Sequence, residues 1–262
     1  MVVRKSRLVL LILLSVVVAF KILHQPVIGS YDFHETYNLS WGTVKADTIV
    51  KKTVIPEVVL KISSKVTPIT KNRTAKAVVV HFKAFSKDGK TLWEYDSITP
   101  YLWKTIDDVI FRKSGFAEPL IMVSNTSSYL FIVEVHSAPR EVPFVRRWVG
   151  EDWVYVFGER GLVKKLSLGK NPWPKRNVFI SSAGNYTILG FEQPQGDGSP
   201  AYGRVLIFNG SEVIFDKTFP YDPNCLCYVI PGWGRINEEG YSTFGLYTGT
   251  GIYNGTFTYK KG

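Results

Sequence analysis

A chain of 262 residues that is 45% hydrophobic and 14% aromatic is long enough to bury a sizeable core and is not a disordered polymer. Nine alanines are too few for a helical bundle, two cysteines too few for a disulfide scaffold, and four scattered histidines (His24, His34, His81, His136) too few for a histidine-rich metal site. The net charge is +10, but Arg4, Lys5, Arg7 and Lys21 all fall in the N-terminal segment, and the remaining basic pairs are spread along the chain without interleaved aromatics. This argues against a nucleic-acid partner and for an acidic glycan, a cell-wall polymer or an anionic surface, if the field is used at all.

The N-terminus reads as an export signal. A basic stretch ending at Arg7 precedes Leu8–Phe20, which carries no charge, and the apolar run resumes as Ile22-Leu23 after Lys21. Lys21 can snorkel to the far interface, which lengthens the span to residues 8–23. No clean small-x-small cleavage site follows, since Val17-Val18-Ala19 lies inside the apolar run. Residues 1–28 are therefore expected to be a signal anchor, with a cleaved signal peptide as the alternative. Residues 29–262 form the exported ectodomain, because Arg4, Lys5 and Arg7 stay inside. The expected location is the cell membrane, crossed once with the C-terminal part outside; the alternative is a secreted protein.

Sequons agree with export. Asn-x-Ser/Thr occurs at Asn38, Asn72, Asn125, Asn185, Asn209 and Asn254, six of the ten asparagines, whereas the 37 Ser and Thr residues would give only one or two by chance. The reading is a glycosylated surface with each sequon on an exposed turn; the competing one is that such tripeptides simply make good turns. Dense sequons without a cysteine framework fit an archaeal or viral surface protein better than an animal secreted domain.

In chain order, the exported part reads as strands. Thr48–Val59 is β-branched and interrupted by Pro56, and Val58–Val66 alternates apolar with polar residues. Val78-Val79-Val80 runs into a hairpin through Asp88-Gly89, with Trp93 opening the outgoing strand. Residues 102–112 are the one helix candidate, and Pro100–Asp108 a join that would make residues 30–100 a separate sandwich domain. Short runs follow at 120–123, 130–135, 153–157, 178–180, 205–208 and 213–215, each bounded by Gly, Asn, Ser or Pro. Many short strands with frequent turn signals predict an all-β chain.

The clearest internal similarity sets Ile207-Phe208-Asn209-Gly210-Ser211 against Ile252-Tyr253-Asn254-Gly255-Thr256, 45 residues apart, each read as a strand entering an Asn-Gly hairpin turn. Upstream, Val178–Gly190 pairs with Arg235–Gly245, and Trp153–Leu166 is a further hairpin. Phe82–Asp96, with its Asp-Gly-Lys turn followed by Leu92-Trp93, resembles a repeat of the WD40 or quinoprotein-type β-propellers, and Val178–Asp216 resembles one whole blade. The resemblance covers roughly residues 78–260, matches best over 178–260, and implies four-stranded blades of the kind found in secreted archaeal proteins. It brings no cofactor with it. Intervals between equivalent aromatics are uneven, and two-sheet sandwiches or tandem immunoglobulin-like domains stand as the alternative fold.

Compact catalytic motifs are missing. Asp107-Asp108, Glu151-Asp152 and Glu238-Glu239 are adjacent pairs, which on a strand point to opposite faces, and read as solvated turn charges. Cys225 and Cys227 would share one face of a strand, as a strained disulfide or as two buried thiols; they are too few ligands for zinc. Asp197, in the Pro/Gly-rich loop 193–200, is one carboxylate, too few for calcium. Trp93, Trp148, Trp153 and Trp173 are the candidate sugar-stacking aromatics, unless they fill the core. The expectation is a membrane-anchored, glycosylated surface protein with a structural, adhesive or interaction role, leaning away from an enzyme and with no cofactor or metal. A glycan- or protein-binding ectodomain is the alternative, and a secreted hydrolase comes third.

Overall fold

The computed structural model describes residues 33–62, 66–98, 120–135, 151–170, 177–194, 201–219, 229–248 and 251–258. All regular structure among them is strand, as the short β-branched runs predict. The first sheet is β1 (His34–Leu39), β2 (Gly42–Ile62), β3 (Val66–Ser86) and β4 (Thr91–Ile98). The second is β5 (Leu120–Asn125), β6 (Leu130–Val135), β7 (Glu151–Gly158) and β8 (Gly161–Lys170). The third is β9 (Val178–Ala183), β10 (Tyr186–Pro194), β11 (Ala201–Asn209) and β12 (Glu212–Phe219), and the fourth is β13 (Ile230–Ile236), β14 (Tyr241–Thr248) and β15 (Gly251–Thr258). Every described pairing is antiparallel and joins strands consecutive in sequence, so each sheet is a meander. Residues 34–98 accordingly make a single sheet, not the two-sheet domain expected for 30–100.

The four sheets stack face to face in chain order, and the hydrophobic pattern of each strand reports its place in the stack. In the first sheet Val44 and Ala46 are buried, while Lys45 and Asp47 alternate with them on an outer face. That outer face is polar: His81 Nδ1 lies 2.8 Å from Asp96, Lys83 lies 2.7 Å from Glu94, and Lys51 also reaches Asp96. The inner face (Val80, Phe82, Ala84) packs on Leu130, Ile132 and Phe157 of the second sheet. Strand β6 is buried at all six positions, because its other face (Phe131, Val133, Val135) meets Leu189, Phe191, Leu206 and Phe208 of the third sheet. A strand covered on both faces reads as an unbroken apolar run, which is how 130–133 and 205–208 appear in the sequence. The third sheet's remaining face (Phe179, Ile188, Val205, Ile207) packs on Ile236, Phe244 and Leu246 of the fourth.

Glycine sets the close approach of the last two sheets. A Cβ on either Gly190 or Gly234 would overlap the Phe179 ring, which is slotted between them. Phe244 is treated likewise by Gly255, its register partner on β15.

The stack has two different ends. Tight turns at 40–41, 126–129, 184–185 and 237–240 join the first two strands of each sheet, and those at 87–90, 159–160 and 210–211 join the third and fourth strands of the first three. Neighbouring turns are tied together: Ser40 N–H donates to Ser127 O at 2.6 Å, and Ser127 N–H to Gly184 O at 3.0 Å. The second turn also receives the Trp41 indole of the first, whose N–H donates to Ser128 O at 2.8 Å. The chain enters the first sheet at the opposite end, at His34, which pairs with Asp47. From that same end β2 and β3 continue, with no third strand beside them among the described residues, from Val50↔Val78 to Ile62↔Val66. Thirteen register pairs make a two-stranded arm of about 40 Å.

This arm corrects two readings. Pro56 does not break the strand but pairs with Asn72 inside the ladder, and Val58–Val66 is not one strand, because β2 ends at Ile62 and β3 begins at Val66. The helix candidate 102–112, the N-terminal segment 1–28 and Asp107-Asp108 lie outside the described residues.

Candidate functional site

Among the described residues, acid–base chemistry finds little support in the geometry. Glu134 is the notable buried carboxylate, held between the first and second sheets, where Tyr95 Oη donates to it at 2.6 Å. Burial, and then the charge of Glu134, hold the Tyr95 phenol far above its ordinary value; the same two causes push Tyr155 up to about 12. A phenol so placed stays protonated and serves as a donor, so this group satisfies a buried carboxylate instead of supplying a nucleophile. Asp152 is fully buried at the start of β7, which corrects its reading as a solvated turn charge, whereas Glu238 and Glu239 do sit exposed on the β13–β14 turn. The Arg204 guanidinium, hydrogen-bonded to Asp216 at 2.8 and 2.6 Å, holds that carboxyl below its usual range on the edge of the third sheet. Among the described residues no group of three His, Cys, Asp or Glu side chains is placed to hold a metal.

The sequons are more orderly than the charges. Asn185 is exposed in the β9–β10 turn, and its amide donates to Asn209 Oδ1 at 2.9 Å across to the last residue of β11. Asn125 ends β5 and Asn38 lies one residue before the end of β1, beside the turn whose Ser40 bonds Ser127. Four of the six sequon asparagines thus gather at the turn end of the stack. The other two depart from the expectation of an exposed turn. Asn72 lies within the β2–β3 arm, and Asn254 lies in the middle of β15, opposite Gly245. The 45-residue similarity does match third strands of neighbouring sheets, but four residues out of register: Tyr186 opens β10 and pairs with Asn209, and Tyr241 opens β14 and pairs with Thr258.

Of the four tryptophans singled out for stacking, Trp148 and Trp173 lie outside the described residues, as do Cys225, Cys227 and Asp197. Trp93 is an interface residue: its indole N–H donates to Gly158 O at 2.9 Å, and its ring stacks on Phe157 at 4.7 Å. The Trp153 ring is covered by the Lys165 ammonium, 3.8 Å from its centroid. Among the described residues the exposed aromatics gather elsewhere, on the outer face of the fourth sheet. Trp233, Tyr241 and Tyr247 are each 38–47% exposed there, with Ile252 at 58%. A Cβ on Gly245 would overlap the Trp233 indole and one on Gly232 the Tyr247 ring, so each ring sits directly against a glycine. The signal was legible as Gly232-Trp233-Gly234 and Gly245-Leu246-Tyr247, glycine flanking an aromatic on paired strands.

Comparison with known protein families, with curated proteins and with solved structures finds no match to this chain.

Proposed function

We propose that the chain is the membrane-anchored, glycosylated ectodomain of a surface protein, with an adhesive or structural role and no catalysis. The observation that carries this reading is the polarity of the stack. Asn38, Asn125, Asn185 and Asn209 crowd the turn end, and the chain from the apolar run 8–23 enters at the other. With residues 8–23 in a bilayer, the sugars face away from it and the β2–β3 arm reaches back toward it. The arm carries Lys51, Lys52, Lys61, Lys71, Arg73 and Lys76 against Glu57 alone, a composition suited to an anionic surface. A two-stranded ribbon is marginal by itself in water, which gives the arm a reason to rest on something.

Four sequential meanders stacked face to face are also the arrangement of consecutive propeller blades, and we read them as an open run of blades. In an immunoglobulin-like sandwich the strands exchange between sheets, and no described strand does so. A second functional reading, a glycan- or protein-binding module, draws on the exposed aromatics of the fourth sheet.

Intact cells treated with a membrane-impermeant amine reagent are expected to label lysines of the ectodomain, with the protein remaining in the alkali-washed membrane pellet. Labelling only after cell lysis would overturn export, and release by the wash would overturn the anchor.

A further inference from the structure

Asn254 differs from the sequons of the turn end, and its neighbours suggest what its sugar does. We propose that Asn254 carries a glycan whose first sugar lies on the Trp233 indole and roofs the outer face of the fourth sheet. The inference rests on the exported, glycosylated reading above.

Trp233, Gly245 and Asn254 form one cross-strand row, since Gly245 pairs with Trp233 on β13 and with Asn254 on β15. Residues directly opposed in an antiparallel ladder share a face. Two strand spacings, about 10 Å, separate the Trp233 and Asn254 backbones. The indole covers the middle of that gap, because it lies over Gly245 where any Cβ would collide with it. The exposed part of the indole is thereby one strand away from Asn254, a distance the first sugar of an attached chain can bridge. The apolar C–H face of a pyranose stacks on an aromatic ring much as another ring does.

The surroundings fit a sugar roof. Of the eight large hydrophobic side chains exposed among the described residues, four (Trp233, Tyr241, Tyr247, Ile252) lie on this one face. Tyr247 and Ile252 pair directly, forming the row on one side of Asn254; Thr243 and Thr256 pair on the other side. Apolar rings and hydroxyls thus flank the amide, as an amphipathic sugar needs. Strand β15 is also the outermost strand of its sheet among the described residues, and a bulky polar group there would block pairing with another chain.

The test uses the full-length protein isolated from its own membranes. Glycopeptide mass spectrometry is expected to find Asn254 occupied. Hydroxyl-radical footprinting is expected to oxidise Trp233 several-fold faster after the sugars are removed. Asn254→Gln is expected to lower Tm by about 2–4 °C, and by much less in a Trp233→Ser background. Sugars at the turn-end sites with a bare Asn254 would overturn this inference and leave the surface reading standing. An occupied Asn254 with Trp233 oxidised equally in both forms would overturn the stacking. A chain with no sugar anywhere would overturn both. Should Asn254→Gln fail to fold, the footprint of the unaltered protein still decides.

Discussion

Phe131→Ala is expected to cost about 3–5 kcal/mol of stability, the largest loss from any single side chain in the stack. Phe131 is fully buried between the second and third sheets and meets Phe208 edge-on at 5.2 Å and 67°. Val133, Val156, Leu189, Phe191 and Leu206 fill the same layer. The cost is high because the layer cannot close over the gap. Each backbone that would have to move is pinned by its own hydrogen-bond ladder, and on its far side packs against a further sheet. Phe131→Leu keeps most of the volume and is expected to cost less than about 1.5 kcal/mol. Denaturant unfolding of both variants checks the pair. A loss under about 1 kcal/mol for the alanine variant would mean that the two sheets do not share a core.

Gly190→Ala is expected to cost about 1–3 kcal/mol, by overpacking instead of by cavity formation. The added methyl would collide with the Phe179 ring, and the ring cannot retreat, because Gly234 of the fourth sheet bounds its other side. The double variant Gly190→Ala/Phe179→Leu is expected to recover part of the loss, since the smaller side chain makes room for the methyl. Strictly additive effects in thermal unfolding would contradict the contact, because residues in direct contact couple.

The sequence exposed most of the individual hairpins. Asp88-Gly89, Gly161, Gly184 and Gly240 mark turns in which each glycine has a positive φ, and the flanking runs alternate or stay apolar according to how many faces are covered. Spacing hid the order of the stack. The first hairpin turn lies near residue 40 and the second near 127, because the first sheet carries the long arm and residues 99–119 separate it from β5. The later turns, near 184 and 238, follow at shorter intervals. The arm itself was masked by Pro56, a residue normally kept out of strand interiors but tolerated in a ladder that has no third strand among the described residues.

The candidate surface was less legible than the fold. Tryptophan count says nothing of exposure: Trp93, the most blade-like of them, is consumed by the interface with Phe157 and Gly158. Asn209-Gly210 and Asn254-Gly255 look alike in sequence, yet Gly210 takes a positive φ in a turn, while Gly255 is an ordinary strand residue under the Phe244 ring. Local turn chemistry permits both, and the pairing of β14 with β15 decides the second. The gathering of sequons at one end depends on which turns become neighbours, a property of the stack and not of any segment.

The most direct test of the account is glycopeptide mapping of the protein taken from its native membranes. The account predicts sugars on Asn38, Asn125, Asn185 and Asn209, the asparagines of the turn end. Unmodified peptides at all four, from protein of the bare 29.6 kDa mass, would contradict it.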